Sequence, residues 1–135
     1  MKPPLEKSKP PNKTGLVRIW FAFFYSLSGL RFALTEESAF QQEFCLFVVL
    51  LIVLYFLPVS IAFKCILLFA NTLVLIVELL NTALEAIVDM ICPDYDIHAK
   101  QVKDLGSAAV FLSIVLAILL WVSVIIIIVS RGSGS

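Results

Sequence analysis

The sequence predicts an all-α membrane protein, with an N-terminal amphipathic surface helix and three transmembrane helices. Three observations predict it. Hydrophobic residues make up 61% of the 135 residues and charged residues 15%, against roughly 45–50% and 25% in soluble domains. The apolar residues collect in three blocks, 44–63, 65–90 and 105–129, each long enough to cross ~30 Å of hydrocarbon. The basic residues are also unevenly placed. Lys2, Lys7, Lys9, Lys13, Arg18 and Arg31 precede the first block, and Lys100 and Lys103 separate the second from the third. Only Lys64 and Arg131 lie on the other side. By the positive-inside rule the N-terminus and the 90–104 loop are expected in the cytoplasm and the C-terminus outside. The formal net charge is zero, and no nucleic-acid partner is expected.

Residues 1–13, MKPPLEKSKPPNK, are rich in proline and lysine and are expected to form a disordered tail. From 14 to 34 the pattern becomes amphipathic. Ile19, Trp20, Phe23, Phe24, Leu27 and Leu30 cover one side of a helix, and Arg18, Tyr25 and Gly29 line the other. Such a helix lies in the membrane interface. The first span is expected at about 36–57, opened by TEESAFQQE, in which Ser38 and Gln41 have capping-box spacing. One glutamate there would favour a helix N-terminus through the dipole. Glu36, Glu37 and Glu43 together exceed that need.

The second span, about 61–90, carries VELLNTALEAIVD. At ~100° per residue Glu78, Asn81, Glu85 and Asp89 fall within a stripe roughly 80° wide, which Asn71 and Thr82 extend. Pro93 should end this helix. Asp94, Tyr95, Asp96, His98, Lys100, Lys103 and Asp104 are expected in a polar loop. The third span, about 105–129, opens with Gly106, Ser107, Ala108 and Ala109, small residues that allow helices to approach closely. Trp121 lies well inside it, where its indole N–H requires a partner. A short flexible tail is expected at 130–135. Cys45, Cys65 and Cys92 have no metal-ligand spacing.

An ionisable residue inside a membrane helix costs roughly 2.5–3.5 kcal/mol. Several on one face point to chemistry, to cation binding, to a proton or ion pathway, or to helix packing. Asn71 and Thr82 suit interhelical hydrogen bonding. The carboxylates suit it badly, because buried carboxylates need a proton or a cation. Acidic and basic groups gather at the cytoplasmic side. Mg²⁺ commonly takes one or two carboxylates and completes its shell with water and phosphate oxygens. Phosphoryl transfer needs such an ion, a cation for phosphate charge, and a base for the attacking hydroxyl. The chain has no GxxxxGK[ST] and no soluble-kinase signature.

VELLNTALEAIVD followed by AKQVKDLGSAA resembles the bacterial integral-membrane diacylglycerol kinase family, without gaps from about Gly15 to Trp121. The resemblance implies a single membrane kinase domain over 14–129 that uses ATP and Mg²⁺ to make phosphatidic acid from diacylglycerol. It also implies a homotrimer among membrane lipids in the bacterial inner membrane. By motif, Glu78 matches the general base, and Glu37 and Glu85 match the Mg²⁺ ligands at the nucleotide. Lys103 and Asp104 match a nucleotide-binding pair. Asp94, Tyr95 and Asp96 fall near the adenine and ribose, and Arg18 and Tyr25 match residues reaching nucleotide, with Arg18 also reaching lipid. Asn81 and Asp89 fall to supporting roles. Ala39, Phe40, Gln41, Gln42, Glu43, Phe56, Leu57, Pro58, Val59, Lys64, Ser107 and Trp121 match the lipid-binding set together with Glu78. Glu36 stands where asparagine is usual, Phe23 where a small residue is, and Ser28 where lysine is common. Pro93 and His98 alter the nucleotide loop. The related undecaprenol kinases share the core motifs, and a non-enzymatic ion- or proton-linked membrane protein is the alternative from another class.

Overall fold

A computed structural model describes residues 15–132 and contains four α-helices among them: α1 Leu16–Glu36, α2 Ser38–Phe56, α3 Ile61–Ile91 and α4 Ile97–Gly132. The tail expected at 1–13 lies outside the described residues. The chain divides into two compact units, Met1–Phe32 and Ala33–Ser135.

In the first unit Gly15, at φ 68°, occupies the left-handed region that glycine enters without a Cβ penalty. Its carbonyl accepts the Arg18 N–H at 3.1 Å, and α1 follows. Trp20 packs edge-to-face on Phe24 at 5.3 Å, and Phe21 lies 6.4 Å from Tyr25. α1 has 21 residues and is apolar enough to cross a membrane, as are α2, α3 and α4. The helix count therefore differs from the three spans expected. At 1.5 Å per residue, 21 residues reach about 30 Å, and the polar face of α1 is built largely from serine, glycine and tyrosine.

In the second unit only Glu37 separates α1 from α2. Glu37 is the N-cap of α2 without a side-chain cap bond, so the Ser38–Gln41 capping box does not form. The backbone closes the junction instead. The Glu37 N–H donates to Ala33 O at 3.2 Å, and Glu37 O accepts the Gln41 N–H at 3.0 Å. Residues 57–60 turn the chain into α3, and Lys64 Nζ donates to the Tyr55 carbonyl at the end of α2 at 2.9 Å. α3 stops at Ile91, just before Cys92 and Pro93.

α4 begins eight residues earlier than expected. Asp96 Oδ1 accepts the N–H groups of His98 at 2.8 Å and Ala99 at 3.0 Å, satisfying two donors that a helix N-terminus leaves orphaned. Those bonds, Ala99 first and then His98, hold the Asp96 carboxyl below the usual aspartate range. His98, Lys100, Lys103 and Asp104 therefore stand on a helix, and the polar loop shrinks to 92–96. Lys100 and Asp104, one turn apart, pair at 2.6 Å. At the other end α4 continues through Gly132, past the expected tail boundary.

α3 packs along α4 and, less extensively, against α2. Near the 57–60 turn Leu54, Leu67 and Val124 form a buried cluster beneath Leu57, Val59, Phe63, Leu120, Trp121 and Ile128. Further along, Gly106 permits the α3–α4 approach, since a Cβ there would overlap Asn81 Oδ1. Ser107, Ala108 and Ala109 are exposed. Trp121 Nε1 donates to Asn71 Oδ1 at 3.0 Å, meeting the indole's need for a partner.

The Asp96 cap sets where α4 begins. In Asp96→Ala the His98 and Ala99 amides should lose protection from hydrogen exchange, while Asp96→Asn, an equally good cap, should keep it. Unchanged protection in Asp96→Ala would remove the cap as the cause of the early helix start.

Candidate active site

The polar stripe of α3 survives folding, but its members meet different surroundings. Asn71 and Glu78 are each only 5% exposed. Asn81 and Glu85 are half-buried, and Asp89 is exposed. Solvation thus rises along the stripe from the middle of α3 towards its C-terminus.

Glu78 sits among carboxylates. The charges of Glu85 and Glu37 both act on it, and its own charge acts on Glu43. Three helix segments create this convergence. α3 supplies Glu78 and Glu85, the α1–α2 junction supplies Glu37, and the second turn of α2 supplies Glu43. Asn81 Nδ2 donates to Glu85 Oε1 at 3.0 Å and so fixes that carboxylate's orientation. Gly106 holds Asn81 from the opposite side, since Asn81 Oδ1 fills the place of the missing Cβ.

Lys103 and Asp104 are neighbours in sequence but have separate partners, because successive helix residues point ~100° apart. Lys103 Nζ forms an ion pair with Asp89 Oδ1 at 2.5 Å, across from α4 to α3, and its charge also reaches Glu85. Asp104 is held by Lys100 on its own helix. Asp94, Tyr95 and Asp96 are exposed in the 92–96 connection, with Asp96 committed to its cap. Arg18 and Tyr25 are exposed on α1 in the first unit.

Among the residues matched to a lipid site, Glu43 and Trp121 line a cleft of about 340 Å³ between α2, α3 and α4. Leu46, Phe47, Leu50, Asn71 and Ile118 are among the others that line it. Phe40 is buried and stacks on Phe44 at 6.2 Å. Ala39, Gln41, Gln42 and Ser107 are exposed. Phe56, Leu57, Pro58, Val59 and Lys64 sit at the opposite end of α3 from Glu85. The fourteen positions between Lys64 and Glu78 correspond to about 21 Å of helix. Two contributions escaped the sequence. Glu43, matched there to the lipid set, also joins the carboxylate group, and Asn71 is part of the cleft wall. Asn71 lies on the Glu78 face by helical angle, which is the clue that could have placed it.

Clustered carboxylates repel unless a proton or a cation lies among them. No group of three or more His, Cys, Asp or Glu positioned to enclose a metal ion occurs among the described residues. Mg²⁺ does not require such a cage, since it takes one or two protein carboxylates and leaves its remaining positions to water and phosphate. Glu37 and Glu85, both within electrostatic range of Glu78, fit that pattern.

A family model described as prokaryotic diacylglycerol kinase matches residues 24–125. The diacylglycerol kinase of Escherichia coli (strain K12) is 40% identical over 110 residues, covering 82% of this chain and 90% of the relative. That of Pseudomonas aeruginosa is 40% identical over 115 residues, covering 85% and 94%. That of Helicobacter pylori (strain 26695) is 33% identical over 112 residues, covering 83% and 88%.

The Gly106–Asn81 approach has a measurable signature. Gly106→Ala should destabilise the α3–α4 pair by about 1–3 kcal/mol, as overpacking does, in detergent-induced unfolding. An Asn81→Ala background should relieve most of that loss, because the colliding side chain is gone. Strictly additive penalties would place the collision elsewhere.

Proposed function

The chain belongs to the prokaryotic diacylglycerol kinase family, a family of kinases, and from that premise we propose that it transfers the γ-phosphoryl group of ATP to the primary hydroxyl of diacylglycerol, giving phosphatidic acid. The observation that carries this reading is the buried Glu78 with Glu37 and Glu85 gathered on it. A base for a lipid hydroxyl must be sheltered from solvent beside groups able to hold the phosphate's cation, and the burial of Glu78 next to Glu37 and Glu85 supports that reading.

In the reaction, the lipid oxygen forms a bond to the γ-phosphorus as its proton passes to a Glu78 oxygen. The bond from the γ-phosphorus to the bridging oxygen breaks, and its electron pair leaves with ADP. Glu37 and Glu85 would hold Mg²⁺, which when bound neutralises phosphate charge. Asn81 keeps Glu85 oriented through its amide. Lys103, tethered to Asp89 beside Glu85, presents a cation to the same phosphates. Catalysis of this kind rests on positioning and electrostatics rather than on covalent chemistry with the protein. Asp94, Tyr95 and Asp96 complete the nucleotide's surroundings. The cleft beside Glu43 takes the apolar part of the lipid.

In the membrane, α1 lies at the interface with its aromatic side chains in lipid, and α2, α3 and α4 span. The N-terminus and the 92–96 connection face the cytoplasm, as the basic residues favour, and three protomers assemble in the bacterial inner membrane.

Purified protein in mixed micelles with ATP and Mg²⁺ tests the reading directly: phosphate should pass to diacylglycerol. Transfer to undecaprenol in its place would assign the enzyme to polyprenols, and transfer to neither would remove the kinase assignment. Glu78→Gln should lower kcat by at least two orders of magnitude, the scale of general-base catalysis, with the fold intact by circular dichroism. Wild-type turnover in that variant would sink the assignment of the base. Glu85→Gln should raise the Mg²⁺ concentration for half-maximal rate roughly 10-fold or more, and an unchanged Mg²⁺ profile would release Glu85 from metal binding.

A further inference from the structure

The cleft between α2, α3 and α4 is apolar almost throughout, and its two buried polar groups are incompletely satisfied. Trp121 Nε1 donates to Asn71 Oδ1. An indole nitrogen can only donate, so this bond fixes which way the Asn71 amide faces. Its other end, Nδ2, is then a pair of N–H donors. Nδ2 is buried and has no hydrogen-bond partner among the described residues, although Asn71 is only 5% exposed and lines the cleft. Glu43 Oε2, on the same cleft, is likewise buried without a partner.

A buried amide donor left unpaired carries a desolvation penalty that a ligand acceptor would remove. The position of Asn71 narrows what that acceptor is. Asn71 precedes Glu78 by seven residues on the same helical face, about 10 Å deeper along α3. Side chains on a helix all lean towards its N-terminus, so the lean shifts Glu78 and Asn71 alike and leaves their separation at about 10 Å. A ligand whose hydroxyl meets Glu78 and whose apolar part enters the cleft would carry an acceptor past Asn71 only if it has one a few bonds below that hydroxyl. An acylglycerol has such acceptors in its ester carbonyls. A polyprenol has none beyond its hydroxyl, and an ether-linked dialkylglycerol has only ether oxygens, which are weaker acceptors and lie one bond nearer the glycerol than a carbonyl oxygen. The cleft, at about 340 Å³, falls within the 300–1,000 Å³ range of small-molecule sites.

We propose that Asn71 is a specificity-determining residue, donating an amide N–H to an ester carbonyl of the lipid whose hydroxyl meets Glu78, and thereby selecting ester-linked glycerolipids over polyprenols and ether lipids. The inference rests on the reading of the chain as a lipid kinase with Glu78 as its base. Trp121 has a positioning part, because its indole holds the amide with Nδ2 as the free end. Sites built to hydrogen-bond a substrate group reject analogues lacking it far more strongly than apolar pockets reject a change in size.

The test compares kcat/KM for a diacylglycerol and for its ether-linked dialkyl analogue, presented in the same mixed micelles to wild-type protein and to Asn71→Leu. Wild type should favour the ester by roughly 10-fold or more, the scale of one buried hydrogen bond. Asn71→Leu should bring the ratio close to one by losing ester turnover, with its helical content unchanged by circular dichroism. A wild-type ratio near one overturns the proposal without reference to any variant. A wild-type preference that persists in Asn71→Leu also overturns it, and leaves the kinase reading standing. Phosphate transfer to neither lipid would bring down the kinase reading and this inference with it.

Discussion

Carboxylates in a helix long and apolar enough to cross a membrane are the constraint on which the rest of this bundle depends. Each ionisable group costs roughly 2.5–3.5 kcal/mol at the centre of a membrane helix, and α3 carries Glu78, Glu85 and Asp89 on one face. Each meets that cost differently. Asp89, at the solvated end, takes Lys103 from α4 as counter-charge. Glu85 takes the Asn81 amide. Glu78 has little solvent, and the charges that act on it are those of further carboxylates. The least solvated acid is therefore also the one in the most negative surroundings. That combination is unfavourable in a resting helix bundle and useful where a proton and a cation are to be received together.

The neighbouring elements serve this face. Gly106 lets α4 approach until Asn81 occupies the space a side chain would need, and that approach also brings Lys103 across to Asp89. The single residue between α1 and α2 leaves Glu37 at a helix junction rather than within a helix, so it can reach the α3 acids. The lower half of the bundle is held by apolar packing around Leu54, Leu67 and Val124 and by the Asn71–Trp121 hydrogen bond. Interhelical hydrogen bonds of that kind are worth about 0.6 kcal/mol on average in membrane proteins. The bond's larger consequence is orientation, since it decides which end of the amide is left without a partner.

Much of this was legible in the sequence where the determinants are local. The α3 stripe follows from 3.6-residue periodicity, and the end of α3 follows from Pro93. The early start of α4 was not, because Asp96 is one acid among several in a polar stretch. Its capping role exists only once the chain turns at 92–96. The Ser38–Gln41 spacing misled by one residue for a related reason: the backbone of Glu37 closes the turn that a serine side chain would otherwise have capped. The amphipathic pattern put α1 in the interface, yet its 21 residues are also long and apolar enough to cross. The partners of the adjacent Lys103 and Asp104 depend on helix phase and on the α3–α4 register. The Asn71–Trp121 pair spans fifty positions, and no local pattern joins them.

Asn71 and Glu78 are buried within one chain. The surroundings of Glu78 and the cleft floor are thus built largely within the protomer, by α2, α3 and α4. What the single chain leaves open is the other end of the face, where Asp89, Asp94, Tyr95 and Asp104 are exposed. A lipid hydroxyl approaching from the cleft and a nucleotide approaching from the solvated end would thus meet at Glu78 from opposite directions. The boundary between them is a gradient written along one helix face: a neutral buried amide, a buried acid, a half-buried acid held by an amide, and an exposed acid held by a lysine. Polar groups become more charged only as solvation rises to support them, and Glu78 stands where the two trends cross.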